Sequence, residues 1–217
     1  MVEAVVFDMD GVILDTEKLV IECSKILAPK YGINNIEEHC RAATGCNREY
    51  TKQLWIRRYG PDISYDDFRA ERAKIFHQKF YEGEPLLKLG AIECLRWLKE
   101  NGIKTSLASS TASEHVIPEL KHVGAYEYLD EIITGEMVTR SKPEPDIFLL
   151  ACEKLGAKPE NTIAIEDSYN GIRSAKAAGM RPIMVPDLLP PTDEMRELTE
   201  VILEDLFRVR DYIKEAL

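Results

Sequence analysis

Two aspartates, Asp8 and Asp10, stand two positions apart directly after the apolar run Ala4-Val5-Val6-Phe7. On an extended segment residues two apart face the same way, so both carboxylates can address one reacting group. A second acidic pair, Glu166-Asp167, ends the run Thr162-Ile163-Ala164-Ile165. Ser109 and Ser110 close a third run, Lys104-Thr105-Ser106-Leu107-Ala108. Lys142 follows a fourth, Glu131-Ile132-Ile133-Thr134, within Ser141-Lys142-Pro143-Glu144-Pro145. Four acids, a serine hydroxyl and one lysine are the groups that a hard divalent cation and a phosphate require. Magnesium takes oxygen ligands, usually one or two carboxylates with water and a substrate phosphate. Each feature alone has a plainer reading. Asp at a strand end is often a turn or helix-cap residue, and Ser109-Ser110-Thr111 or Glu166-Asp167 could cap the helix that follows. Lys142 alone could be a solvated surface charge. The plainer readings must hold four times independently, and the shared placement at strand ends favours a site.

These groups meet only if the runs are parallel strands. A fifth run is Pro182-Ile183-Met184-Val185, and Val201-Ile202-Leu203 is a short candidate edge strand. Unbroken apolar runs suit a parallel sheet buried on both faces. Helical patterns separate them. Residues 91–101 carry Ala91, Cys94, Leu95 and Leu98 at helical spacing and stop at Gly102. Residues 112–123 stop at Gly124, with Pro118 predicted to interrupt the helix. Residues 146–155 and 171–178 stop at Gly156 and Gly179. Repeated helix–glycine–strand units imply right-handed crossovers and an α/β doubly wound, Rossmann-like parallel sheet core. In such sheets ligands bind outside the carboxyl ends of the strands.

Residues 16–81 break this rhythm. They show only helical patterns, over 19–31, 49–59 and 65–81, and read as an inserted α-helical cap domain. The catalytic core is then 1–15 and 82–217. Thr16 and the segment near Gly83-Glu84-Pro85 are the two crossings, and together they predict a hinge on which the cap closes over substrate.

The bulk numbers narrow the partners. The net charge is −10 with 45% hydrophobic and 30% charged residues. So acidic a chain lacks the basic footprint of a nucleic-acid binder. No apolar run approaches the ~20 residues that span a bilayer. The N-terminus shows no signal-peptide pattern, and the five cysteines have no C-x-x-C spacing, so a cytoplasmic protein with reduced thiols is expected. His39, His77, His115 and His122 lie in unrelated segments and read as surface or helix residues, not metal ligands.

Taken together, the motifs resemble the haloacid dehalogenase superfamily, within it the β-phosphoglucomutase-like phosphatases. Phe7-Asp8-Met9-Asp10-Gly11-Val12-Ile13-Leu14-Asp15-Thr16-Glu17 is similar to its first motif and Leu107-Ala108-Ser109-Ser110 to its second. Ser141 to Phe148 is similar to the third and Ile165 to Ile172, followed by Ala175 to Met180, to the fourth. The resemblance implies that Asp8 is a nucleophile forming an aspartyl phosphate and Asp10 a general acid, then base. It implies Mg²⁺ held by Asp8, the Asp10 carbonyl, Asp167 and Glu166, the last directly or through water. It implies Ser109, Ser110 and Lys142 on the phosphoryl group, with Gly11 letting the backbone turn close to it. Thr44-Gly45-Cys46-Asn47-Arg48-Glu49 resembles the substrate-specificity loop, with Arg48 as a clamp on the distal part of the substrate; a helix-terminal charge is the plainer reading of Arg48.

The implied activity is hydrolysis of a small-molecule phosphate ester, with a sugar phosphate expected first and phosphoglycolate and nucleotide monophosphates also open; a monomer is expected. A sugar phosphomutase is the alternative. Two departures weigh against it: Val20 stands where the mutase pattern has a histidine, and Ala112 where it has a lysine. A dehalogenase needs no metal, so Asp10 and the Glu166-Asp167 pair argue against it. A non-catalytic phosphate-binding regulator on the same scaffold would usually lack the nucleophile or the acid, and Asp8 and Asp10 are both present.

Overall fold

The computed structural model describes residues 2–46 and 48–217. The chain divides into two compact units, residues 1–14 with 87–217, and residues 15–86. The division falls at 14/15 and 86/87, a little outside the 16–81 read from the sequence.

The first unit is a six-stranded sheet in the order β3-β2-β1-β4-β5-β6. The strands are β1 (Ala4–Phe7), β2 (Lys104–Ser109), β3 (Glu131–Thr134), β4 (Thr162–Glu166), β5 (Arg181–Met184) and β6 (Val201–Ile202). Every pairing is parallel. The chain winds outward from β1 to β3, then returns to β4 on the other side. β1 is therefore the switch point, where a doubly wound sheet opens a crevice at its carboxyl edge. Register fixes what stands there: Phe7 pairs with Leu107 on one side and Ile165 on the other, so Asp8 emerges beside Ala108 and Glu166. All four residues of β1 are fully buried, which is why it reads as an uninterrupted apolar run.

Small side chains of the central strands, Ala4, Val6, Ala108 and Ala164, pack in one cluster with Ile147, Phe148 and Ala151. Those three belong to a helix at Asp146–Leu155, and Ala175 of the same cluster to one at Tyr169–Ala177. Other helices of this unit span Ala91–Glu100, Ser113–His122, Asp193–Leu198 and Leu206–Glu215. Pro118 does not interrupt Ser113–His122. Pro118 and Glu114, the residue whose carbonyl loses its partner, are both exposed, so water can satisfy that group.

The second unit is helical: Glu17–Leu27, Ile36–Ala43, Arg48–Tyr59 and Tyr65–Glu82. In chain order the α-helices of the described residues are thus α1 to α4 here, then α5 (91–100), α6 (113–122), α7 (146–155), α8 (169–177), α9 (193–198) and α10 (206–215). Leu27, Ile33, Ile36, Trp55, Tyr65 and Phe68 form the core of this unit. The indole of Trp55 donates to the Ile63 carbonyl at 2.8 Å, which satisfies its polar edge inside that core. His39 is buried against Trp55, ring centroids 5.2 Å apart, so it is a core residue of α2 and not a surface one. Among the described residues no helix is long and apolar enough to cross a membrane.

Candidate active site

Lys142 organises the carboxyl edge of the sheet. It is 6% exposed. Its ammonium donates to Asp8 Oδ1 at 2.6 Å, to Glu166 Oε1 at 2.7 Å and to the Ala108 carbonyl at 2.9 Å. Its Nζ also lies 5.0 Å from the centroid of the buried Phe148 ring, a cation–π distance. Burial pulls the ammonium down, but the Asp8 and Glu166 carboxylates outweigh it and hold Lys142 above the ordinary lysine range. A cation so held is a fixed charge, unlike the solvated lysine that its sequence context also allowed.

Asp8 is buried at the end of β1, and its amide donates to the Ile165 carbonyl at 2.9 Å. Burial raises its carboxyl to about 7, against the pull of Lys142. Glu166 is held by the protein on both oxygens. Lys142 takes Oε1, while Oε2 accepts from the amides of Asp167 and Ser168 at 3.0 and 2.9 Å and from Ser168 Oγ at 3.0 Å. The Cβ of any residue at 171 would fall 1.7 Å from Glu166 Oε1, so Gly171 lets α8 pass against this carboxylate. Ser168, not Glu166 or Asp167, caps α8, accepting from the Gly171 amide at 3.0 Å. That disposes of the capping explanation for the acidic pair.

Carboxylate oxygens of Asp8, Glu166 and Asp167 all lie within 4.8 Å of one another. Three convergent oxygens on a rigid edge are the donor type that magnesium takes. Gly11 has φ +84°, and a Cβ there would sit 2.5 Å from Asp167 Oδ2. Glycine thus admits both the left-handed turn and the close approach of Asp167. The residues present fit a hard divalent cation.

Asp10 is partly buried, and its Oδ2 accepts a hydrogen bond from Thr111 Oγ1 at 3.2 Å. Sequence reading took Thr111 only as part of a helix cap, so this contact was missed. The two serines separate. Ser109 is 1% exposed and its Oγ accepts from the Thr111 amide at 3.0 Å. Ser110 is exposed, and its carbonyl lies where a Cβ on residue 135 would reach 2.6 Å, so Gly135 gives it room. Neither serine caps α6. Glu136 does, accepting from the Ser113 amide at 3.2 Å.

Arg48 belongs to the other unit. Its guanidinium pairs with Asp66 at 2.8 Å while 65% of the side chain is exposed. Lys52 holds the same carboxylate at 2.7 Å. Asn47 of that loop lies outside the described residues.

A sequence model of the haloacid dehalogenase-like hydrolases matches residues 5–185. The chain belongs to this family. Among relatives of this haloacid dehalogenase-like hydrolase is the phosphorylated carbohydrates phosphatase of Thermotoga maritima, 32% identical and covering 83% of each chain. Among solved structures, the β-phosphoglucomutase of Clostridium difficile superposes with a TM-score of 0.82 at 26% identity, over 99% of this chain and 96% of that one. CbbY of Rhodobacter sphaeroides, solved in complex with phosphate, gives 0.78 at 28% identity over 95% of each chain. The matched segment of the family model contains Asp8, Asp10, Ser109, Lys142, Glu166 and Asp167.

Proposed function

We propose that the protein is a magnesium-dependent phosphatase acting on a small phosphorylated metabolite, a sugar phosphate, through an aspartyl-phosphate intermediate. The observation that carries this reading is the buried ammonium of Lys142 bonded to Asp8 beside the convergent oxygens of Glu166 and Asp167. That edge pairs a carboxylate nucleophile with a fixed charge for phosphoryl oxygens. The relatives named above support the substrate class.

Asp8 attacks phosphorus, and the bond to the ester oxygen breaks as Asp10 gives that oxygen its proton. Asp10 then takes a proton from the water that attacks the aspartyl phosphate, releasing phosphate and restoring both carboxyl groups. Lys142 holds the transferring oxygens, and Ser109 adds a hydroxyl to them, since in phosphoryl transfer positioning and charge carry the rate. Bound at Asp8, Asp167 and the Asp10 carbonyl, Mg²⁺ would supply Lewis-acid charge for the phosphoryl oxygens. Glu166, already bonded on both oxygens, serves chiefly to hold Lys142 in place. Arg48, steered by Asp66, is assigned to substrate selection.

Val20 and Ala112 cannot supply the imidazole and ammonium of the mutase pattern, so hydrolysis is favoured over rearrangement. The test is phosphate release from a panel of phosphorylated metabolites with Mg²⁺ and with chelator. Wild type should release phosphate only with the metal, and Asp8→Asn should release none while melting at a similar temperature. Turnover by purified Asp8→Asn protein would remove Asp8 as nucleophile. Isomerised sugar phosphate without free phosphate would establish the mutase instead.

A further inference from the structure

Thr111 bonds two of the groups assigned to the reaction, and the reaction derived above gives it no part. Its amide donates to Ser109 Oγ at 3.0 Å, and its hydroxyl donates to Asp10 Oδ2 at 3.2 Å. The second bond joins positions 101 residues apart in the chain, so no local turn requires it. Capping does not account for Thr111 either. Helix α6 starts at Ser113 without a cap from the side chain before it, and Glu136 takes the Ser113 amide. Among the described residues the Thr111 hydroxyl has no acceptor other than Asp10.

We infer, resting on the phosphatase reading, that Thr111 is a positioning residue whose hydroxyl orients the Asp10 carboxyl and places on Oδ1 the proton for the leaving oxygen. The backbone at Asp10 is already set. Asp10 and Leu14 form a bridge, and the Gly11 amide donates to the Leu14 carbonyl at 2.8 Å. What remains is rotation of the carboxyl, which for aspartate is a broad, two-fold torsion. A hydroxyl held at Oδ2 selects one orientation. The oxygen that accepts the threonine hydrogen is the poorer seat for a second hydrogen, so the acid proton resides on Oδ1.

As Asp8 attacks, the bond from phosphorus to the ester oxygen breaks and its electron pair stays on that oxygen. Asp10 Oδ1 gives the oxygen its proton, and Asp10 is left as a carboxylate. A hydrogen bond to an ionised group is about twice as strong as a neutral one. The Thr111 bond therefore tightens while the proton departs, and stabilises the transition state more than the ground state. Its worth grows with the need for that proton. A p-nitrophenolate leaves readily as an anion, whereas an alkoxide must be protonated as it leaves. The Thr111 amide acts alongside. With Ser109 Oγ accepting from it, the serine's own hydrogen meets no protein acceptor among the described residues and is left for a phosphoryl oxygen.

The test measures kcat/KM on the full chain with Mg²⁺ for p-nitrophenyl phosphate, phenyl phosphate and the alkyl esters of a panel of phosphorylated metabolites. Thr111→Val keeps the amide and the branched shape and removes the donor. It should lower kcat/KM for the best alkyl ester by about tenfold or more, the order that a lost hydrogen bond to a charged group produces. For p-nitrophenyl phosphate the loss should stay below about threefold, with phenyl phosphate between, since the good leaving group needs little acid. Thr111→Ser keeps the donor and should remain within about threefold of wild type on every ester. A Val variant that loses equally on alkyl and aryl esters marks a structural role, and one that loses on neither shows the hydroxyl idle. Either result, or a Ser variant as impaired as Val, overturns the assignment and leaves the phosphatase reading intact. A wild type that releases phosphate from no alkyl ester overturns both. If Thr111→Val does not melt cooperatively, Thr111→Ala, which also lacks the donor, carries the same comparison.

Discussion

Lys142 is the side chain on which the site's electrostatics turn. Two carboxylates and one ammonium are buried together, and the ammonium touches both. Breaking a buried ionic network by removing one partner costs about 3–5 kcal/mol, since the remaining charges stay desolvated. Lys142→Met should therefore abolish turnover of every phosphate ester and lower stability by about 3–5 kcal/mol in urea titrations. Equal stability of the two proteins would show that the network is not held as described. Gly11 gives a second prediction. Gly11→Ala meets a left-handed φ that disfavours an L side chain by about 1–2 kcal/mol, and its Cβ displaces the buried Asp167 carboxylate. The Mg²⁺ concentration for half-maximal activity should rise at least about tenfold, as when one good hydrogen-bonded or ligating contact is lost. An unchanged metal requirement would take Asp167 out of the metal site. Asp10→Asn should slow turnover by about 10²–10⁴-fold, the usual worth of a positioned general acid, with esters of good leaving groups affected least.

At the level of elements, β1 and β4 were legible because they are buried throughout and read as largely apolar runs; β2 with Thr105 and Ser106 and the half-buried β3 and β6 depart from that pattern, and the polar residues that end the runs mark the edge. What was not legible depended on contacts distant in sequence. Arg48 and Asp66 meet across α3 and α4, and nothing in either segment announces the pair. Helix α2 is only Ile36–Ala43 and enters through Asn35 at φ 57° with no side-chain cap, so the usual start signal is missing. Helix α10 did carry one: Asp205 caps it, and Leu206, Val209 and Ile213 follow at helical spacing. Burial of His39 was hidden for the same reason as α2 itself. It packs against Trp55 and Tyr59 of α3, and its Nδ1 is buried without a partner. Burial, then the charges of Arg58 and Arg72, lower its pKa from 6.5 to about 4. Between those values the unfolded chain binds the proton and the folded one does not, so stability falls as pH drops through this window and is fully present above it. Thermal melts should lose about 1–3 kcal/mol between pH 7 and pH 4 through this group, and His39→Phe should flatten that part of the profile. A variant profile as steep as wild type would place the acid sensitivity elsewhere.

On the scale of the whole chain, one compact unit is inserted into another, and the core's own backbone shows where. Leu14 and Leu87 form an antiparallel bridge, and the Lys88 amide donates to the Ile13 carbonyl at 2.9 Å. The two core ends that flank residues 15–86 are thus already neighbours, tied by the core itself. Within the insert, the Asp15 amide donates to the Leu86 carbonyl at 3.1 Å, so its ends are joined as well. A segment whose ends adjoin can be replaced by a short flexible linker at little cost, because loop-closure entropy changes only slowly with loop length. Every side chain assigned to phosphoryl transfer, from Asp8 to Asp167, belongs to the core unit, while Arg48 belongs to the insert. On the proposed assignments labour divides, with chemistry in one unit and selection chiefly in the other. Replacing residues 15–86 with a few Gly and Ser residues should leave a core that melts cooperatively and still hydrolyses p-nitrophenyl phosphate only when Mg²⁺ is present. Across a panel of phosphorylated metabolites the spread of kcat/KM should narrow, because remote contacts that separate substrates are gone while the shared phosphoryl contacts remain. Arg48→Ala in the full chain should move the same way on a smaller scale, altering some substrates by more than the ~0.5 kcal/mol of an ordinary surface change and sparing others. A shortened core that folds yet keeps the full spread of substrate preference would locate selection in the core alone, and an Arg48→Ala panel indistinguishable from wild type would agree with it.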